Sequence, residues 1–206
     1  IEQTAKELSL IESFMQFMNE GGVFMYIILL MWLIGVAIAI ERLIKLYLYD
    51  IDSHSLMKEI QSKLLNNDIR GAIAICSNTK AKLAFVLKSA LQRVNQSRDQ
   101  IEHTMDTSIL ESSNHIEKRL GYLALIANIS TLVGLLGTIQ GLIESFAAVA
   151  EADPASKSKL LALGISKAMN TTAFGLISAI TIMVVYQILT SKQDKITGEI
   201  EEYSLP

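Results

Sequence analysis

Residues 120–143 and 168–191 form two long stretches without a charged side chain, and a short polar loop joins them. A transmembrane helix needs about 20 apolar residues, so each stretch is long enough to cross a bilayer. Both also contain many residues that lipid does not favour: Thr131, Gly134, Gly137, Thr138, Gln140, Gly141, Asn170, Thr171, Thr172, Gly175, Ser178 and Thr181. A single helix that only anchors a protein in lipid would not need these polar and small residues. The pattern therefore predicts a helix hairpin that packs tightly against copies of itself and lines a polar path.

A third apolar run covers residues 21–40 and ends sharply at Glu41, Arg42 and Lys45. Hydrophobic residues make up 50% of the 206-residue chain, which is high for a soluble domain but leaves room for an aqueous part. The chain has only two prolines, so few positions interrupt a helix. We therefore predict an all-α membrane protein with three transmembrane helices and a helical cytoplasmic domain, whose helices extend far into the cytoplasm.

The distribution of charge and hydropathy divides the chain into seven segments. They are an amphipathic outer-face helix (1–20), a first transmembrane helix (21–40), a cytoplasmic helical domain (41–119), a second transmembrane helix (120–149), a periplasmic loop (150–167), a third transmembrane helix (168–191) and a cytoplasmic tail (192–206). In the first segment, apolar residues recur at helical spacing from Leu8 to Met18, which favours a helix on the membrane surface. A disordered tail is the alternative.

Within residues 41–119 the sequence favours helices. Asn67 and Asp68 begin one that runs to Cys76. A longer helix is expected from about Lys82, and it should continue unbroken into the second span, because no glycine or proline lies between residues 81 and 120.

Cations near the span ends set the predicted orientation. Six of them fall on one side of the membrane: Arg42, Lys45, Lys118, Arg119, Lys192 and Lys195. The positive-inside rule makes that side the cytoplasm and places the N-terminus and the 150–167 loop outside. Lys157, Lys159 and Lys167 in that loop weaken the contrast.

Small residues align on one face of each hairpin helix. The second-span face comprises Thr131, Gly134, Thr138 and Gly141, and the third-span face comprises Gly164, Ala168, Thr171, Gly175 and Ser178. Such faces let helix backbones approach closely in lipid. Their threonine hydroxyls could also coordinate a cation or pass a proton along a water chain. Packing alone is the alternative, because membrane threonines often bond their own helix carbonyls.

Two charged residues lie near the outer end of the predicted hairpin. Glu144 is close to the end of the second span, and Lys167 precedes the third. An ionisable group in a membrane is a functional candidate, but long side chains near an interface also reach water. Glu144 is therefore interpreted as either an ion-path residue or an anchor, and Lys167 first as an interface anchor.

Several other classes of function are disfavoured. A net charge of −3 gives no indication of a nucleic-acid partner. Cys76 is the only cysteine, which excludes an internal disulfide. His103 and His115 do not match a metal-ligand spacing, and no phosphate loop or activated serine is evident. We therefore expect neither an enzyme nor a bound cofactor. Because the chain begins with Ile1 rather than methionine, a removed leader is left open.

Residues 132–146 (LVGLLGTIQGLIESF) resemble the second-span motif of the MotA/TolQ/ExbB proton channel family. Residues 164–176 (GISKAMNTTAFGL), followed by 177–186, resemble the family's third-span motif, and residues 68–76 are placed as in that family. The order of one short span, a helical cytoplasmic domain and a two-span hairpin is also similar. Three spans fit the ExbB/TolQ branch better than the four-span flagellar branch.

The resemblance implies a multi-pass subunit of an ion-driven motor in the bacterial inner membrane, with a periplasmic N-terminus and a cytoplasmic C-terminus. Family members form a homopentamer around two copies of a single-span partner of the ExbD/TolR/MotB type, which carries a membrane aspartate. The transported ion would be a proton or sodium, with no bound cofactor. The process driven is left open between transport through a TonB-like protein, envelope constriction and surface motility.

The resemblance also assigns roles to residues in this chain. By motif position, Thr138 matches the second-span pore threonine and Thr172 the third-span one. Both would line the pentamer's inner cavity beside the partner's aspartate. Thr171 and Glu144 are further candidates for the ion path, and Gly134, Gly141 and Gly175 are candidates for helix packing.

One residue departs from the family pattern. ExbB/TolQ members usually carry a glutamate where this chain has Lys167. A lysine cannot serve as the carboxylate of an ion relay, so either the partner's aspartate works alone with the threonines or Glu144 takes part. Threonines without that glutamate would suit sodium at least as well as protons. Lys167 also supports an alternative function, a non-conducting membrane scaffold that holds partner helices, because a ring of lysines would repel cations.

Overall fold

The structure is a computed structural model that describes residues 2–204, with side chains described from residue 12 onward. This part of the chain contains α-helices and no strand, so the expected all-α fold is confirmed. The helices are α1 (Glu2–Gly21), α2 (Val23–Tyr49), α3 (Ser53–Leu65), α4 (Ile69–Asn78), α5 (Lys82–Leu91), α6 (Arg98–Glu117), α7 (Leu120–Glu151) and α8 (Lys157–Ser204).

Three helical segments are long and apolar enough to cross a membrane, and they lie within Val23–Leu65, Arg98–Glu151 and Lys157–Ser204. In the apolar window of each segment, only 22 to 33% of the residues are buried inside the chain. Large apolar side chains such as Leu132 and Ile180 are more than half exposed. Exposed apolar area on this scale marks a lipid-facing or protein-facing surface. The prediction of three transmembrane helices is therefore confirmed by length and composition.

The described residues up to Ile38, together with Tyr122–Tyr186, form one compact unit. Its α1 is helical, as the sequence predicts, although the side chains of Leu8 and Ile11 lie outside the described residues. Phe17 of α1 packs edge-on against Phe174 of α8, with ring centroids 6.1 Å apart. Gly22 separates α1 from α2 with a φ of +75°, a conformation that glycine adopts without a steric penalty.

The connection between α7 and α8 is shorter than the sequence predicts. Only residues 152–156 are non-helical, and residues 157–167, which were expected in a loop, belong to α8. The backbone N–H groups of Ser156 and Lys157 both donate to the carbonyl oxygen of Asp153, forming the turn around Pro154. The α8 helix also continues through most of the predicted tail, to Ser204. At about 1.5 Å per residue its 48 residues are roughly 70 Å long, which is more than twice the hydrocarbon thickness of a bilayer.

A second compact unit comprises Ala39–Gly121 and the described residues from Gln187 onward. Its α4 begins as predicted, because the carboxylate of Asp68 caps the helix by accepting from the backbone N–H of Gly71 at 2.8 Å. Asp52 caps α3 in the same way through Ser55. Apolar side chains of α3 to α6 form the core of this unit; they include Leu56, Ile60, Ala72, Cys76, Leu83, Val86 and Ile116.

The prediction of one continuous helix from Lys82 into the second span is wrong. Residues 92–97 separate α5 from α6, and residues 118–119 separate α6 from α7. Asn95 and Ser97 in the first break have side chains that compete for backbone hydrogen bonds, so a helix can end there without glycine or proline. At the second break, Arg119 adopts a φ of +67°.

A buried arginine stabilises the end of α6. Arg42 of α2 is only 1% exposed, and its Nη2 donates to the carbonyl oxygens of His115 at 2.9 Å and Ile116 at 3.2 Å. Helix ends leave carbonyl groups without intrahelical partners, and cations there interact favourably with the helix dipole. Arg42 therefore supplies from another helix the cap that α6 lacks in its own sequence.

Candidate ion-pathway site

Small residues bring α7 and α8 into backbone contact. A β-carbon on Gly134 would lie 3.2 Å from the α-carbon of Gly175, and one on Gly141 would lie 3.0 Å from the β-carbon of Ala168. Further along, a β-carbon on Gly164 would collide with the side chain of Ser145. These pairs advance along α7 as they retreat along α8, as expected for two antiparallel helices of a hairpin. The structure thus places Gly134, Gly141 and Gly175 in one packed interface, called here the hairpin seam.

Thr138 and Thr172 meet across the hairpin seam. Their hydroxyl oxygens are hydrogen-bonded to each other. The hydroxyl of Thr172 also lies 3.1 Å from the carbonyl oxygen of Gly134, and that of Thr138 lies 3.3 Å from the carbonyl oxygens of Gly134 and Ala168. Both threonines are half-buried. The sequence assigned them to one path by motif alone, and the structure brings them into direct contact.

This contact concentrates oxygen atoms in an otherwise apolar stretch. Each hydroxyl has one hydrogen to donate and two lone pairs that accept. Two hydroxyls and two backbone carbonyls therefore retain lone pairs after the two hydrogens are used. Hydroxyl and carbonyl oxygens are the ligands that hard cations prefer, and hydroxyls also connect water molecules into chains. The Thr138–Thr172 pair could serve either a metal cation or a proton.

Thr171 lies apart from this pair. It is 1% exposed, and its hydroxyl lies 3.0 Å from the carbonyl oxygen of Gly21 and 3.1 Å from that of Lys167. A β-carbon on Gly137 would overlap the methyl group of Thr171, so this glycine makes room for the threonine. Thr171 therefore joins α8 to the end of α1 rather than to Thr138.

Glu144 and Lys167 form an ion pair. The Nζ of Lys167 lies 2.9 Å from a carboxylate oxygen of Glu144, and the Nε2 of Gln140 donates to the other oxygen at 3.1 Å. Both charged side chains are partly exposed. The two residues were interpreted separately from the sequence, and the structure makes them partners.

One further residue of α7 at the seam, Ser130, was not singled out by sequence reasoning. Ser130 is fully buried in α7, and its hydroxyl has no hydrogen-bond partner among the described residues. Thr131, which the sequence placed on the small-residue face, is instead exposed and bonds the carbonyl oxygen of Ala127 in its own helix. Ser130 precedes Gly134 by four residues and Thr131 precedes it by three, so the small-residue spacing fits both positions and does not choose between them.

A hydrogen bond also joins α2 to α8. The indole N–H of Trp32 donates to the hydroxyl of Thr181 at 2.9 Å. A buried or lipid-facing indole needs such a partner. Nothing local in the sequence pairs two residues that lie 149 positions apart.

Together, the three apolar helices and the small-residue seam define a helical membrane protein with a polar contact between two of its spans. The MotA/TolQ/ExbB proton channel family model matches residues 78–202, which is more than half of the chain. The chain therefore belongs to this family.

Several curated relatives are similar to parts of the chain. A putative biopolymer transport protein ExbB homolog from Methanothermobacter thermautotrophicus is 24% identical over 189 residues, covering 91% of this chain and 66% of the relative. Biopolymer transport protein exbB1 from Vibrio cholerae is 38% identical over 91 residues, covering 44% and 40%. Tol-Pal system protein TolQ from Haemophilus influenzae is 33% identical over 113 residues, covering 52% and 49%.

These relatives place the chain with the ExbB/TolQ branch, as its three spans suggested. The chain spans between 40 and 66% of the length of these three proteins. The family is one of membrane transport rather than of enzymes.

Proposed function

We propose that the chain is the channel-forming subunit of a motor in the bacterial inner membrane, coupling proton or sodium flow to mechanical work. Five copies would surround two copies of a single-span partner of the ExbD/TolR/MotB type, with the partner supplying a membrane aspartate. The N-terminus and the α7–α8 turn would face the periplasm, and residues 41–119 and 192–206 would face the cytoplasm. Membership of the family and the ExbB and TolQ names of the relatives support this proposal.

The contact between Thr138 and Thr172 is the observation that carries the proposal. If the threonines only satisfied their own helices, each would bond nothing but a carbonyl four residues earlier, as Thr138 also does at Gly134. Thr172 instead reaches the Gly134 carbonyl on the neighbouring helix, 38 positions away in sequence. A polar group within an apolar span is unfavourable unless it has partners or water. Two threonines that share partners across the seam fit a role in passing an ion.

A non-conducting scaffold is the alternative, and Lys167 was its main support. In the structure this lysine has a carboxylate partner in Glu144. Five neutralised pairs would repel cations far less than five unpaired lysines. The ion pair therefore favours the conducting function over the scaffold.

The test is ion flux through vesicles that contain the full chain and its single-span partner. We expect T138V and T172V to lower flux about tenfold or more while the complex still assembles, because valine keeps the shape but removes the hydroxyl. T131V is the matched control, since Thr131 is exposed and bonds its own helix. Normal flux in both seam variants would contradict the proposal. Flux measured under a sodium gradient alone and under a proton gradient alone identifies which ion the complex transports.

A further inference from the structure

Glu144 and Lys167 are the only charged residues in the apolar parts of the two hairpin helices. Between residues 120 and 150 the sole charged residue is Glu144, and between residues 160 and 191 it is Lys167. The structure places these two side chains 2.9 Å apart. An isolated charge within a membrane span is unfavourable by about 2.5–3.5 kcal/mol at the helix centre, so pairing reduces the cost of both.

The surroundings of the pair leave it accessible. A cavity of about 340 Å³ adjoins it. Besides the pair and Gln140, the cavity is lined largely by glycines: Gly21, Gly22, Gly137 and Gly141. A β-carbon on Gly22 would lie 3.1 Å from the Cε of Lys167, so the missing side chain gives the lysine stem its room.

The two partners differ in how they are held. Glu144 has two donors, Lys167 on one oxygen and Gln140 on the other, and Gln140 lies in the same helix. Lys167 is held by one ion pair on a flexible four-carbon stem that can swing toward water. If the ammonium moved away, the carboxylate would stay oriented by Gln140 at the edge of the cavity.

We propose that Glu144 is the carboxylate that accepts the transported cation at this end of the hairpin, and that Lys167 is its built-in counter-cation. In the resting state the ammonium neutralises Glu144. An arriving proton or sodium ion takes its place on the carboxylate, and the lysine stem moves toward water. Glu144 thus contacts the ion, and Lys167 is a positioning residue that sets how tightly the ion is held.

This inference rests on the proposed function and makes predictions of its own. E144Q removes the acceptor and leaves an unpaired lysine, so cation flux should fall about tenfold or more. K167Q removes the ammonium group that competes with the cation for Glu144, so the cation concentration giving half-maximal flux should fall about fivefold.

Two double variants test the pair itself. The exchange E144K/K167E rebuilds the ion pair with each charge on the other helix and should restore flux. The neutral double variant E144Q/K167Q can keep a hydrogen bond between the two side chains but has no carboxylate to accept the cation. It should therefore conduct no better than E144Q.

The experiment uses vesicles that contain the full chain and its partner, with radioactive sodium in one arm and a pH-sensitive dye in the other. E151Q and K159Q are matched controls, since both residues are exposed near the ends of the same helices. Complex size is measured for every variant. If E144Q does not assemble, the exchange variant still tests the pair, because it restores both charges.

The outcomes distinguish this inference from the proposed function. If the wild-type complex conducts neither ion, the proposed function and this inference are both contradicted. If the wild type conducts and E144Q/K167Q conducts equally, the pair only packs the hairpin and this inference alone is overturned. An unchanged half-maximal concentration in K167Q would also overturn it, because the lysine would then not compete with the ion.

Discussion

Gly134 of α7 and Gly175 of α8 place the backbones of two spans in direct contact, since a β-carbon on Gly134 would lie 3.2 Å from the α-carbon of Gly175. This short distance between the two helix backbones also lets the hydroxyl of Thr172 reach the carbonyl oxygen of Gly134 at 3.1 Å. The glycines therefore set the distance at which the two seam threonines can meet. Packing and the candidate path depend on one another in this hairpin.

Gly175→Ala should destabilise the folded chain. The added β-carbon would lie 2.8 Å from the carbonyl oxygen of Ser130, and backbone atoms cannot move aside as a side chain can. Such overpacking typically costs about 1–3 kcal/mol, which exceeds the gain of up to about 1 kcal/mol from alanine's higher helix propensity. The midpoint of thermal unfolding in detergent should therefore fall.

Gly198→Ala is the matched control for that substitution. Gly198 lies in the same helix, and a β-carbon there would have no neighbour within 4 Å. With no clash, helix propensity alone should stabilise this variant by up to about 1 kcal/mol. Equal stability changes in the two variants would contradict the role assigned to the seam.

The seam shows how far spacing alone can predict packing. Small residues at three- and four-residue intervals identified Gly134, Gly141 and Gly175, because close helix approach in lipid needs them. The same spacing could not decide between Ser130 and Thr131, which are adjacent and face directions about 100° apart on a helix. That choice depends on the register between α7 and α8, which local sequence does not contain.

Other features depend on contacts between residues distant in sequence. Glu144 and Lys167 are 23 positions apart, so each was interpreted alone until the hairpin register joined them. The end of α6 is bonded by Arg42, 73 positions earlier. The absence of glycine and proline predicted one continuous helix through this position. Such a prediction considers only helix-breaking residues, and it takes no account of a cap supplied by a residue distant in sequence.

Arg42→Met should destabilise the second compact unit. Methionine fills similar space but cannot donate to the carbonyl oxygens of His115 and Ile116, which Arg42 now bonds. Each buried acceptor left unsatisfied costs about 1–3 kcal/mol. Arg93→Met is the control, because Arg93 is exposed in the turn after α5 and should change stability by less than about 0.5 kcal/mol. Similar unfolding midpoints for the two variants would refute the capping role.

Asp50→Asn should destabilise the chain at neutral pH and much less in acid. Lys192 and Lys195 of α8 both bond the carboxylate of Asp50, which is 14% exposed. Burial raises the pKa of Asp50, but these lysine hydrogen bonds and charges outweigh burial and lower the pKa overall. We expect a loss of about 1 kcal/mol at neutral pH, because asparagine cannot form the ion pairs.

The pH dependence follows from the lowered pKa of Asp50. A carboxyl group with a lowered folded pKa stabilises the native state above its unfolded pKa of about 3.9. That contribution disappears as the pH falls through the folded pKa. Unfolding midpoints of wild type and D50N should therefore converge below about pH 4. D194N is the control, because Asp194 is exposed in α8 beside the two lysines, and it should change stability by less than about 0.5 kcal/mol. A difference between wild type and D50N that stays constant across pH would exclude the ion pairs as its cause.

Labelling of single cysteines can test the proposed orientation. Cys76 is 3% exposed, and its replacement by serine gives a background without reactive thiols. Ala155→Cys lies in the exposed turn between α7 and α8, and Asn95→Cys lies in the exposed turn between α5 and α6. The cations at the span ends predict, by the positive-inside rule, that the second turn lies in the cytoplasm. A membrane-impermeant maleimide should therefore label position 155 in spheroplasts with intact membranes, and position 95 only after permeabilisation. The reverse pattern would invert the orientation and place the Glu144–Lys167 pair at the cytoplasmic end of the path.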